Sequence, residues 1–232
     1  MKTWIAACHH KGRARVVIPE GVFKLGPVTF AGPCTGISPI VVQVSGTLKA
    51  DTDISLYESP EWFSFEDING IVLTGSGNFD GQGAVAWEYN DCKSNSDCVQ
   101  LPAVSFFLFV FHHLHLPLEK LTRNLKIMGF VYFVQSIKFA KVLNGVIKGI
   151  TSTNSQGFHM SITQCQNIRV RHIRISAPDE SPNTDGIHIS NSNNVKIAKS
   201  VIGTGDDCIG MIKGSTNIAI HKVTCGPGHG IR

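Results

Sequence analysis

No stretch of this 232-residue chain is apolar for long enough to cross a membrane. There is no acidic or basic tail, and Trp 3 and Tyr 3 are few beside Gly 23. A membrane helix takes about 20 apolar residues, whereas the most apolar run, Val104-Ser-Phe-Phe-Leu-Phe-Val-Phe111, gives way at once to His112-His113-Leu-His115. The net charge of +4 is scattered, which argues against nucleic acid as a partner, although a mild positive bias suits an anionic polymer. Gly75-Ser-Gly77 has no third glycine at dinucleotide spacing and opens no helical pattern, which argues against a nucleotide loop. The start, from Met1 to His10, is too soon polar to be a secretory leader, and no Asn-x-Ser/Thr sequon occurs. Yet seven cysteines exceed cytosolic usage and point to an oxidising compartment. The missing leader therefore reads as truncation of a secreted chain, and the odd cysteine count leaves at least one thiol without a partner in it.

What is present is periodic. Asp185, Asp207 and His229 are separated by 22 residues and again by 22, each leading into a short apolar step: Asp185-Gly-Ile-His-Ile, Asp207-Cys-Ile-Gly-Met and His229-Gly-Ile. Asn144-Gly-Val-Ile, Asn167-Ile-Arg-Val, Asn194-Val-Lys-Ile and Asn217-Ile-Ala-Ile recur at intervals of 23, 27 and 23, with Asn69-Gly-Ile-Val-Leu as an earlier copy. These are alternating, β-branched stretches entered from an Asn, so each coil carries at least two brief strands. Short strands at a fixed period, with turn residues between them, predict an all-β parallel β-helix whose stacked coils bury a continuous apolar interior. Asn at the turns tolerates left-handed backbone, so the Asn column can be structural. If one coil takes about 22 residues, the Asp–Asp–His column stands on neighbouring rungs roughly 4.8 Å apart. Asp206 beside Asp207 adds a third carboxylate. So many proton-transfer groups in one place point to an enzyme, whereas an Asp pair alone could simply cap turns.

One segment breaks the pattern. Residues 104–135 hold six of the thirteen Phe and show neither the Asn-led strand nor the Gly corner. Val104-Ser105 can be encoded by an ideal intron start, Gln135 by a usual intron end, and the Phe- and Val-rich Phe130-Val-Tyr-Phe-Val by a pyrimidine tract between. The expectation is one domain over 1–232, interrupted by a retained intron at 104–135. A tryptic peptide from the segment would overturn that in favour of a surface insertion loop.

Asn183-Thr-Asp185-Gly, Gly205-Asp-Asp-Cys208, Cys225-Gly-Pro-Gly-His229-Gly and Pro178-Asp-Glu-Ser-Pro, in this order and spacing, resemble the polygalacturonase family of pectin-degrading glycoside hydrolases. Ala6-Ala-Cys8 with Gly32-Pro-Cys34, Thr47-Leu-Lys-Ala-Asp51, Asp80-Gly-Gln-Gly and Tyr89-Asn-Asp-Cys92 look most like the plant exo-acting, pollen-type members. The resemblance implies a right-handed parallel β-helix and inverting hydrolysis of α-1,4 bonds between galacturonic acids. It implies a monomer in the cell wall, with pectin as partner and neither cofactor, metal, nucleic acid nor membrane. Carried over by motif, Asp206 is the general acid, Asp185 and Asp207 hold and activate water, and His229 bonds within the cluster. Asn183, His188 and Lys213 are then substrate-binding, and Cys208 pairs with Cys225. Cys8 with Cys34 and Cys92 with Cys98 are the further pairs expected, leaving Cys165 buried and single. Three carboxylates on adjacent rungs cannot all ionise cheaply, so at least one is expected to hold its proton more tightly than usual.

The sequence departs from the family pattern in three ways. Gly210-Met-Ile-Lys-Gly replaces the usual Ser-Ile-Gly wording, the Arg-x-Lys coil expected beyond His229 does not follow before Arg232, and the chain begins partway into the first coils. Such a solenoid is expected to expose an apolar end, to lack a cap and to be weak or inactive. That leaves a non-catalytic pectin-binding product as the alternative. A calcium-dependent lyase would instead need a strong Arg or Lys base where the motif offers His229.

Overall fold

The computed structural model of the protein describes residues 1–88 and 134–232, and in both stretches short parallel strands stack rung upon rung. One coil runs through Leu143–Lys148, Thr151–Thr153 and Met160–Thr163; the next through Gln166–Arg171, Arg174–Ser176 and Ile187–Ser190. The following two use the long bent strands Asn193–Gly203 and Thr216–Cys225, which join two limbs of a 12-stranded sheet; the third strand of each coil builds a separate six-stranded sheet. The parallel β-helix read from the periodicity is the fold. The short middle strand is the element least visible in the sequence, because three residues carry no period of their own.

The interior follows from the register. Ile71, Gly145, Ile168, Val195 and Ile218 form one column, and Leu73, Ile147, Val170, Ile197 and Ile220 the next. On the six-stranded sheet Ile137, Met160, Ile187 and Ile209 line up and are at most 1% exposed. Branched side chains at alternate positions fit a pleated, buried wall, and each such burial contributes about 1.5–3 kcal/mol. Tight corners join the walls. Asn144, Asn167, Asn194 and Asn217 all sit in left-handed backbone at φ 55–58. Asn144 donates to Asn69, Asn167 to Asn144 and Asn194 to Asn167, at 2.8–2.9 Å. Asn69, Asn144, Asn167 and Asn194 thus form a hydrogen-bonded ladder.

The N-terminal coils fill the same interior with rings instead of branched chains. Phe30 meets Phe63 edge-on at 5.1 Å, and Phe65 stacks on Phe139 at 5.0 Å. The expectation of an uncapped apolar end fails at this end. A helix, Lys2–His9, lies across it, with Trp4 stacked on Phe30 at 4.8 Å and its indole N–H donating to the Ala31 carbonyl. Cys8 ties the helix to Cys34. Sequence reading missed the helix because eight residues with one buried edge carry too little periodicity to stand out from a solenoid.

Residues 104–133 of the anomalous segment fall outside the described residues, as do Cys92 and Cys98 with their expected pairing, and His112, His113 and His115. Val134 is buried and Gln135 opens the strand Gln135–Ala140 level with Glu61, so these last two positions belong to the coil. Cys165 is buried as a free thiol, and burial pushes it up to about 11, which leaves it inert.

Candidate active site

At the entry edge of the six-stranded sheet, Ile187 pairs with Ile209 and Ile209 bridges to Ile231. Two residues back from each stand Asp185, Asp207 and His229, level on three consecutive rungs. The backbone locks this alignment: Gly186 N–H donates to the Asp207 carbonyl at 2.8 Å and Cys208 N–H to the Gly230 carbonyl at 2.7 Å. The Cys208–Cys225 disulfide clamps the Asp207 rung to the chain that leads on to His229. It closes a 17-residue separation, worth about 3 kcal/mol on a chain-entropy account.

Small residues let the turns come this close. Thr184, fully buried, accepts from Gly205 N–H at 3.0 Å and donates to the Ser181 carbonyl at 3.1 Å, knitting the Asp185 turn to the Asp206 turn. A Cβ at Gly205 would lie 2.0 Å from that same Ser181 oxygen, so no side chain fits there. Gly210 performs a second spacing role inside the site. A Cβ on it would stand 3.0 Å from Asp185 Oδ2, 3.4 Å from Asp207 Oδ2 and 3.5 Å from His188 Nδ1. Two carboxylates and an imidazole therefore converge on one small unfilled position, which the departure from the family wording at Gly210 had not foreshadowed.

The electrostatics are uneven. Asp185 and Asp207 are buried, while Asp206 is half-buried and His229 exposed. Burial raises the Asp185 carboxyl above its ordinary value near 3.8; the nearby Asp206 and Asp207 charges push the same way, and His188, at 3.3 Å, pulls back. One of the three carboxyls, Asp185, thus does hold its proton more tightly; the motif assigns it to the water and assigns the acid to Asp206. His229 Nδ1–H donates to Asp206 Oδ1 at 3.0 Å, and Asp207 N–H donates to the same oxygen at 2.9 Å. Asp207 Oδ1 is buried and accepts no hydrogen bond among the described residues; Arg232 stands 3.4 Å from it, outside hydrogen-bond geometry. One ligand atom each from Asp206, Asp207 and His229 lies within 4.8 Å of the others, a spacing a cation would also accept.

Of the other sequence candidates, the structure brings only His188 into the cluster. Asn183 is exposed at φ 52, two residues before Asp185, and Lys213 is exposed beyond the strand Ile209–Met211. Neither contacts the carboxylates by hydrogen bond or ion pair among the described residues. Phe158 is a neighbour that sequence reading missed. It stacks on His188 at 4.5 Å and 11°, holding the imidazole against Asp185. Its signal was present, since it lies two residues before Met160 as Asp185 lies two before Ile187. His159 beside it faces the interior, fully buried, with Nδ1 bonded to Ser152 Oγ at 2.9 Å. Burial drives its imidazole down to about 3, so it is neutral at ordinary pH.

The family model described as glycosyl hydrolases family 28 matches residues 8–115 and 133–232. An exopolygalacturonase of Arabidopsis thaliana is 39% identical over 231 residues, covering 100% of this chain and 46% of the relative. An exopolygalacturonase of Zea mays is 38% identical, with 99% and 48% covered. The chain therefore spans about half the length of these curated relatives. Among solved structures, the Erwinia carotovora polygalacturonase superposes with TM-score 0.68 at 22% identity, over 94% of this chain and 57% of its own. A Thermotoga maritima exopolygalacturonase gives 0.68 at 23%, over 95% and 55%. Both carry the same fold.

Proposed function

The chain belongs to glycosyl hydrolase family 28, and from that premise we propose that it hydrolyses α-1,4 bonds between galacturonic acid residues of pectin, exo-acting and with inversion. The observation that carries the reading is the level alignment of Asp185, Asp207 and His229 across the Ile187, Ile209 and Ile231 rungs. Asp206, the most accessible carboxyl of the three, protonates the glycosidic oxygen. His229 Nδ1–H holds that carboxyl at the mouth. Water sits against Asp185 and Asp207 in the gap left by Gly210, where Asp207 Oδ2 accepts one of its hydrogens in a hydrogen bond. The raised proton affinity of Asp185 makes it a stronger base than an ordinary carboxylate. Asn183, His188 and Lys213 bind substrate around this centre, and Phe158 keeps His188 in place. The two disulfides among the described residues fit an oxidising compartment, in keeping with the cell wall. No helix among the described residues is long and apolar enough to cross a membrane.

The test is reducing-end release from polygalacturonate by the purified chain, with the product anomer followed by NMR during the first turnovers. Inversion with monomer release is expected. Retention, oligomer products, or an unsaturated product abolished by EDTA would each remove part of the assignment.

A further inference from the structure

Charge is sorted over the C-terminal coils. From Val134 to Arg232 the only acidic residues are Asp179, Glu180, Asp185, Asp206 and Asp207, all on the turns that lead into or form the carboxylate cluster. No strand in this half carries one. The outer face of the larger sheet is instead basic. Arg169 and Lys196 are register partners on adjacent rungs, Lys148 and Arg171 likewise, and Lys199 stands level with Lys222 at the corner beyond them. All but Lys148 are exposed, and among the described residues none of the six forms an ion pair. Like charges directly across adjacent strands destabilise a sheet, so the fold carries a repulsion that no ion pair among the described residues offsets.

The same face is grooved. Asn144, Asn167, Arg169, Asn194 and Lys196, with Gly145 and Val146, line a channel of about 380 Å³. Its floor is the Asn ladder. Each ladder amide spends one N–H on its neighbour and keeps a second N–H and a carbonyl lone pair for a ligand. A row of amides, flanked on two adjacent rungs by the Arg169 guanidinium and the Lys196 ammonium, matches a linear polymer with hydroxyls and one carboxylate on each unit. Arg binds carboxylates bidentately and Lys as a point charge.

We propose that this face is a second, non-catalytic site for linear polyuronate, holding the polymer whose chain ends the carboxylate mouth cleaves. The assignment of the polymer rests on the function proposed above. The face lies on a different sheet from the carboxylates, so a bound strand here leaves the mouth open.

The experiment compares the intact chain with R169E/K196E and with the neutral R169Q/K196Q, each checked for an unchanged melting temperature. Retention on long polygalacturonate is read by affinity electrophoresis across a salt series, beside turnover of a short galacturonate oligomer. The expected result is at least about a tenfold loss of retention in R169E/K196E, with a shallower salt dependence from fewer released counterions. A smaller loss is expected in R169Q/K196Q, and oligomer turnover stays unchanged in both. Equal retention of all three proteins overturns the site, as does stronger retention by duplex DNA or by phosphatidylserine vesicles than by polygalacturonate. A chain that leaves oligomers uncut yet shows the expected retention pattern supports the site and removes only the hydrolase reading.

Discussion

On one sheet Asn69, Asn144, Asn167 and Asn194 stand on successive rungs and bond to one another. At the edge of the other, Asp185, Asp207 and His229 stand on successive rungs, with two buried carboxylates facing one gap. Both columns come from the same repeat and both put polar groups about 4.8 Å apart. They differ in what the neighbours do for each other. An amide offers donor and acceptor together, so a stack of amides bonds to itself and stabilises the coil. A carboxylate only accepts, so a stack of them is left with repulsion and an unfilled acceptor. A column whose members bond to one another stabilises the coil that carries it, and one whose members cannot is held in place by the rest of the fold.

The sharpest way to break this contrast is to neutralise the acidic column. Asp206→Asn should lower kcat by about 10²–10⁴-fold, the usual worth of a positioned acid or base, with the melting temperature unchanged within error. Asp185→Asn should lose activity similarly yet gain stability. Its folded proton affinity lies above the ordinary value near 3.8. A raised carboxyl stabilises the fold below its unfolded pKa, and that contribution is lost as pH rises through the folded one. At neutral pH the ionised group is a cost that Asn removes, each tenfold in proton affinity being worth about 1.4 kcal/mol. A destabilised Asp185→Asn protein would mean that the column is architectural after all.

Gly210→Ala is a finer probe of the same wall. The added methyl would sit 3.0 Å from Asp185 Oδ2 and 3.4 Å from Asp207 Oδ2, where the attacking water is placed. Displacing a reacting group by about 1 Å costs on the order of 10²-fold, so kcat should fall by that amount while circular dichroism stays constant. Undiminished turnover would move the water elsewhere.

How far the sequence could be read follows the same division. The Asn and Asp columns were legible because a solenoid turns spatial neighbours into fixed intervals, and the 22-residue steps put Asp185, Asp207 and His229 level before any coordinates. The Asp–Asp–Cys and Gly–His–Gly wording then named the chemistry. What stayed hidden depends on side-chain direction and turn length. Lys213 sits near the motif in sequence but beyond the strand end in space. Phe158 stands in the column yet belongs to no motif, and Gly210 read as a departure when its lack of a side chain is what opens the gap. The helix Lys2–His9 closes the interior through three buried residues, Trp4, Ala7 and Cys8, too few to give it a period of its own.

On the amide column, Asn167→Ala should cost about 1–3 kcal/mol of stability and leave oligomer turnover untouched. It removes the bonds to Asn144 and Asn194 and places Ala at φ 58. Asn167→Gly keeps the backbone freedom and loses only the ladder, so chemical denaturation should show a smaller loss, near 1 kcal/mol. Equal losses would place the whole effect in the bonds and none in the backbone.

The smallest expected effect lies in the pH profile. Asp185 must be ionised to act as a base, so the acidic limb of kcat/KM should fall above pH 3.8, and activity should vanish as pH drops through the folded pKa of Asp185. His188 opposes that rise, so His188→Gln should move the limb upward. Stability complicates the measurement from the other side. His159 is held neutral down to about 3, against 6.5 in the unfolded chain. The unfolded state therefore binds the extra proton first, and stability declines as pH falls below 6.5. Initial rates taken after brief acid exposure, with full recovery on return to neutral pH, separate the two. A limb that does not move in His188→Gln would detach the imidazole, and with it Phe158, from the chemistry of Asp185.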